Sequence, residues 1–218
     1  MWCITEIDSE YRKRMYTLLR LYSEDYDPNY PIICFDEKHK PLIGDTVDRI
    51  PMKPGSPEKY DYQYKRNGTA NIFVAVDFNG GKRDITVTDR RTKVDFAHYI
   101  KHLVDTVFAD AKKLRIVMDN LNTHTYTSIL ETFEFKEAIR LISKVTFYYT
   151  PKHASWLNIA EIEINVMDKQ CTGRRISNKN LLINETTAYQ NNRNENKCKI
   201  NWNFTKADAD KKLSKCYI

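Results

Sequence analysis

Apolar positions along the chain recur in two rhythms, and the alternation between them sets out the elements. Met15, Leu18, Leu19 and Tyr22 fall at helical spacing and predict a helix over 9–22. Asp27-Pro28 and Tyr30-Pro31 break it, and the run PIICFDE follows as a short buried strand. Residues 38–70 are rich in turn formers and polar positions, and predict a long excursion containing an irregular hairpin. NIFVAVDF and DITVTD then read as two strands joined by Asn79-Gly80-Gly81, a strong hairpin signal.

Val94, Ala97, Ile100, Val104 and Val107 line one side of a helix predicted over 93–108. KLRIVMDN is a further buried strand, 128–143 a helix and VTFYYTP a last strand, closed by Pro151. Helices are predicted beyond it over 156–167, 179–193 and 205–215. A hairpin followed by alternating helices and strands predicts an α/β (α+β) fold, with a mixed central sheet flanked by helices. Ligands of such a sheet gather at the ends of its central strands.

One helix breaks the pattern. WLNIAEIEINVM is apolar on nearly every side yet carries Glu161 and Glu163. At about 100° per residue, Leu157, Ala160, Ile164, Met167 and Cys171 form one apolar side, and Ile159, Ile162 and Val166 another. Asn158, Glu161 and Asn165 make a narrow polar strip between them. Glu163 falls in the opposite gap, where it pairs with a neighbouring basic residue or reaches solvent. Glu161 is therefore the better candidate to face a site.

Composition adds three constraints. Of 218 residues, 41% are hydrophobic and 29% charged, enough for a sizeable core. No run of eighteen apolar residues offers a membrane span, and the N-terminus lacks a signal-peptide stretch, so an intracellular protein is expected. The five cysteines, Cys3, Cys34, Cys171, Cys198 and Cys216, include no CxxC pair, which argues against a disulfide framework or a zinc ribbon. The net charge of +6 is uneven: residues 165–218 hold 11 basic and 5 acidic side chains, leaving 24 of each before them. A basic end predicts a polyanionic partner or a solvated tail.

Asp36 and Asp119 each follow a buried apolar run. One such acid marks a strand exit; two, together with Glu161, suggest convergence. Three carboxylates gathered together repel one another, and a divalent cation with hard-oxygen preference, magnesium or manganese, relieves that repulsion.

Asp36 in CFDE, Asp119-Asn120 with His124 in MDNLNTH, and YYTPKHASWLNIAEIEI together resemble the DDE transposases. More narrowly, they resemble the bacterial insertion-sequence branch of the mariner superfamily. YKRNGTANIFVAV, TDRRTKVDFAHYI and WNFTKADADKKL extend the resemblance over nearly the whole chain. It implies a ribonuclease H-like fold, two Mg2+ ions for which Mn2+ substitutes, and DNA cleavage followed by strand transfer.

The family triad maps onto Asp36, Asp119 and Glu161 as catalytic and metal-binding residues, with 41 residues between the last two. Asn120, His124 and Asn158 support the site; His124 orients it or caps the following helix. Lys152, His153, Arg174 and Arg175 are candidate DNA contacts. Arg90, Arg91 and Lys93 form a basic cluster that either contacts DNA or is solvated. Trp156 is expected to pack the start of the helix, and His98 and His102 to form a surface pair rather than a zinc site.

The expected organisation is an N-terminal helical linker over 1–30, a catalytic domain over 31–175 and a basic helical extension over 176–218 packed on it. The helix-turn-helix modules of the family have no counterpart here. The resemblance therefore implies a catalytic half encoded as a second reading frame or left as a remnant. It acts in the cytoplasm on nucleoid DNA, as a homodimer on DNA, with a separate chain supplying the recognition modules. The competing readings are a catalytically silent DNA-binding remnant and a structure-selective nuclease without strand transfer.

Overall fold

The computed structural model describes residues 6–218; Cys3 and the start of the N-terminal segment lie outside the described residues. Five strands form one sheet: β1 (Ile32–Asp45), β2 (Tyr64–Asp77), β3 (Lys82–Thr88), β4 (Leu114–Met118) and β5 (Val145–Tyr149). Their order is β3-β2-β1-β4-β5. β1 pairs antiparallel with β2, and β2 with β3, whereas β1–β4 and β4–β5 are parallel. The sheet is mixed, as the sequence predicts.

Alternation along β1 builds the two faces. Ile33 and Phe35 point into a core roofed by α2 (Lys93–His102), α3 (Tyr126–Thr132) and α4 (Phe135–Lys144). Ile32 and Cys34 point the other way, under α1 (Ser9–Tyr22), α5 (Ala160–Met167) and α7 (Lys206–Leu213). Further along that second face, Ile72 and Val74 of β2 pack against Met167 and against Leu182 and Tyr189 of α6 (Lys179–Glu195). α1 and α7 thus cover one part of this face and α6 another.

The hairpin at Asn79-Gly80-Gly81 forms as predicted. Gly81 sits at φ 75°, and a Cβ there would lie 2.6 Å from the Lys197 carbonyl oxygen. Three expectations need correction. The excursion predicted over 38–70 is nearly half strand: β1 runs to Asp45 and β2 begins at Tyr64, leaving 46–63 as an arm. Leu42 of β1 and Ala70 of β2 still reach the core, but ladder hydrogen bonds carry the outer parts of both strands, where apolar alternation is not required, and the register shifts between Pro41 and Ile43. The helix predicted over 128–143 is two helices, because Phe133 takes an extended conformation (φ −115°, ψ 156°) between them. Val94, assigned to the buried side of α2, is exposed at the first turn.

The outer edge of β3 is closed by side chains of α6. Asn194 accepts from Arg83 N at 2.9 Å and donates to Arg83 O at 2.8 Å, while Gln190 accepts from Ile85 N at 2.5 Å. No helix among the described residues is long and apolar enough to cross a membrane. No disulfide links the described cysteines.

Candidate active site

Strand register brings the first two carboxylates together. In the parallel β1–β4 pair Cys34 stands opposite Val117, so two residues further on Asp36 is level with Asp119. Cys34 and Val117 both face the α5 side of the sheet, and the alternation that places them there puts Asp36 and Asp119 on the same side. α5 crosses that face and presents Glu161 near enough for its charge to act on Asp36.

The approach to α5 is held by buried polar contacts. Tyr22 donates to the Leu157 carbonyl at 2.7 Å. Asn158, 2% exposed, donates to Phe35 O at 2.9 Å and to Asp36 Oδ2 at 3.3 Å. Its own Oδ1 accepts from Ala160 N at 3.2 Å. Asn158 therefore precedes the helix and ties it to Asp36, a stronger part than the polar strip assigns it. Ile162, placed by the sequence on an apolar side, is partly exposed, so α5 packs less completely on that flank.

Burial pushes the Asp36 carboxyl up to about 7, and the charges of Asp119 and Glu161 add to the rise. The Glu37 backbone N–H, 2.8 Å from Oδ1, opposes it. At Asp119 burial also works upward, but His124 and the Leu121 N–H outweigh it and hold the carboxyl below its usual range. His124 is buried between Phe35 and Phe96. Its Nδ1 lies 2.7 Å from Asp119 Oδ1 and its Nε2 3.2 Å from Glu37 Oε1. Burial alone would lower the imidazole; the two carboxylates instead raise it to about 9. At neutral pH His124 is thus a cation that donates from both nitrogens.

Glu37 and Arg14 have no role in the sequence reading. Glu37, neighbour of Asp36, projects to the opposite face, where its side chain is 4% exposed and meets His124 and, at 3.5 Å, Arg91. Strand parity could have placed it there, but only after His124 was known to sit beneath the sheet. Arg14 of α1 donates to Asn120 Oδ1 at 2.6 Å, a contact across 106 positions with no local signal. Asn120 also donates to Thr150 O at 2.6 Å and joins the ends of β4 and β5.

The candidate DNA contacts are dispersed. Lys152 and His153 are exposed on the loop before α5, with His153 at φ 59°. Arg174 is exposed and pairs with Glu185 at 2.5 Å. Arg175 is engaged within the protein: it pairs with Asp45 at 2.8 Å, lies over the rings of Tyr60 and Tyr64, and donates to Gln63 O at 3.2 Å. It fastens the base of the 46–63 arm. Trp156 packs edge-on against Phe204, as expected. His98 packs on Phe133, while His102 meets Asp84 at 3.0 Å.

The donor set suits a hard divalent cation. It consists of carboxylate oxygens, the nearby imidazole is already committed to Asp119 and Glu37, and no thiolate among the described residues adjoins it. Asp36, raised by burial and further by its like-charged neighbours, and Glu161, whose carboxylate accepts no hydrogen bond among the described residues, are the groups a cation would satisfy. The carboxylates are gathered but not closed around one point: among the described residues, no three Asp, Glu, His or Cys side chains stand close enough to hold an ion without adjustment.

The sequence matches the family described as DDE superfamily endonuclease over residues 31–183. No curated protein sequence matches the chain. Among solved structures, the Mos1 mariner paired end complex with Mn aligns at 12% identity and TM-score 0.58, over 91% of this chain and 60% of that one. The Mos1 strand transfer complex aligns at 13% identity and TM-score 0.55, over 84% of this chain and 54% of that one. The Mos1 paired end complex with Mg aligns at 11% identity and TM-score 0.53, over 91% of this chain and 64% of that one. The likeness is one of fold, a ribonuclease H-like mixed sheet flanked by helices, and the chain spans roughly 54–64% of the length of these structures.

Proposed function

The chain belongs to the DDE superfamily endonuclease family, and from that premise we propose that it cuts DNA with divalent metal ions and joins the cut end to a target strand. The observation that carries this reading is the convergence of Asp36 and Asp119 at the ends of adjacent parallel strands, with Glu161 presented over them by α5. The catalytic domain is assigned to residues 31–175, with 1–30 leading into it and 176–218 packed on it.

Asp36, Asp119 and Glu161 are the residues to hold two Mg2+ or Mn2+ ions. When bound, such ions activate the attacking oxygen and stabilise the leaving oxygen of an in-line phosphoryl displacement. The side chains prepare that step. Asp36 gives up its proton near neutrality and is held in place by Asn158. Asp119 stays ionised, with one oxygen fixed by His124 and the Leu121 N–H. Asn120 pins the strand ends on which Asp119 stands. Lys152, His153 and Arg174 supply cationic or donor groups for phosphate, and Arg175 acts on the substrate through the arm it braces. DNA is the partner, bound by a homodimer, with recognition of the element ends supplied by a separate chain carrying helix-turn-helix modules. The site of action is the nucleoid.

The test is magnesium-dependent nicking of supercoiled plasmid, together with joining of a pre-cleaved end, for the wild type and Glu161→Gln. Metal-dependent nicking and joining that vanish in the variant are expected. Equal nicking by both proteins would refute the triad, nicking without joining would leave a nuclease, and no metal-dependent reaction by either would leave a silent DNA-binding remnant.

A further inference from the structure

Glu163 stands two residues after Glu161, which turns it about 200° around the helix axis, away from the candidate site. There it is fully buried and surrounded by donors. Arg83 Nε lies 2.9 Å from Oε1 and Arg83 Nη2 3.1 Å from Oε2. Arg193 donates to both oxygens at 3.1 Å, and Tyr189 donates to Oε1 at 2.7 Å. Arg83, also fully buried, donates onward to the carbonyls of Gly81 at 3.0 Å and Cys198 at 2.6 Å. One carboxylate therefore joins the catalytic helix to the first residues of β3, to α6 and to the segment after it.

The ends of α5 carry fewer directional contacts: Asp168 at its C-cap pairs with Lys38 of β1. Ile159 at its N-cap gives no side-chain hydrogen bond. At the other end the helix runs into a wide π turn, Asp168–Thr172. Asn158 reaches only the first helical N–H. The most numerous directional contacts on α5 are those at Glu163, mid-helix, where a change in rotation would break several charge-assisted hydrogen bonds together.

We infer that Glu163 and Arg83 are positioning residues for the reaction: their buried pair sets the rotation of α5 and so aims Glu161 at Asp36 and Asp119. The inference rests on the proposed role of Glu161. Removing Glu163 alone would leave Arg83 charged and buried without its partner and risks unfolding, so both are replaced by apolar residues of similar size, Glu163→Leu with Arg83→Met. Arg193, partly exposed, can turn to solvent.

The double variant is expected to melt in one cooperative transition and to bind Mn2+, followed by electron paramagnetic resonance, about 10–100-fold more weakly, the range for groups that orient metal ligands. Its kcat for plasmid nicking should fall by about 100-fold with KM for DNA unchanged, as expected of a displaced catalytic group. A folded double variant with wild-type Mn2+ affinity and kcat would overturn the inference while leaving the function intact. Should the double variant not fold, Glu163→Asp decides. It keeps the charge but draws the carboxylate back by one methylene, so Mn2+ affinity should drop at least tenfold, and an unchanged affinity overturns the inference. A wild-type protein that neither binds Mn2+ nor nicks overturns the proposed function and this inference with it.

Discussion

With its carboxyl pushed up to about 7, Asp36 in its proposed role as a metal ligand would couple proton and cation binding. Its folded value lies above the 3.8 of an ordinary aspartate, so ionising it costs folding free energy. Without metal this cost grows as pH rises from about 4 toward 7 and then levels off. A divalent cation offsets it only where the carboxylate is ionised. Mg2+ should therefore raise the melting temperature more at pH 8 than at pH 5.5, by differential scanning fluorimetry, and an equal rise at both would contradict the assignment.

His124 gives the opposite test, because it stands between the buried Glu37 carboxylate and the half-exposed carboxylate of Asp119. His124→Ala should cost about 3 kcal/mol in urea unfolding, the scale of a buried charge left without its partner. It should also reduce nicking. The three proposed acids stand out in the sequence because each lies at the end of an apolar run or within one. Glu37 does not, since strand parity sends it beneath the sheet to partners that only the tertiary fold brings near.

Elements show the same division between local and distant causes. The hairpin at Asn79-Gly80-Gly81 was legible because positive φ there calls for glycine. Gly81→Ala should lose more than about 1 kcal/mol, from left-handed strain together with the approach of the Lys197 backbone, measured by thermal or urea denaturation. The extension of β1 and β2 past the core was not legible. Outside the core a strand needs only its ladder partner and carries no apolar alternation. The partition of Glu161 and Glu163 to opposite sides of α5 could be read from helical spacing. The identity of Arg83, 80 positions away, could not.

At the scale of the molecule, the excess positive charge of residues 165–218 bears on DNA binding. Binding of short duplexes should weaken steeply with KCl, as counterions released from phosphate oppose it. Arg174→Ala should reduce the slope of log affinity against log salt by about 1, the signature of one lost phosphate contact. Arg175→Ala should act differently, loosening the 46–63 arm that it clamps through Asp45, Tyr60 and Tyr64, with greater protease cleavage in that segment. Fluorescence anisotropy and limited proteolysis separate the two outcomes.

Gln190 and Asn194 stand in for a sixth strand along β3, taking up backbone groups that would otherwise be left unpaired. An open strand edge is a template for polymerisation. The C-terminal helices therefore guard solubility as well as carrying charge. A chain cut before α6 would present an adhesive margin to its own copies and would be recovered as aggregate rather than as a smaller catalytic core.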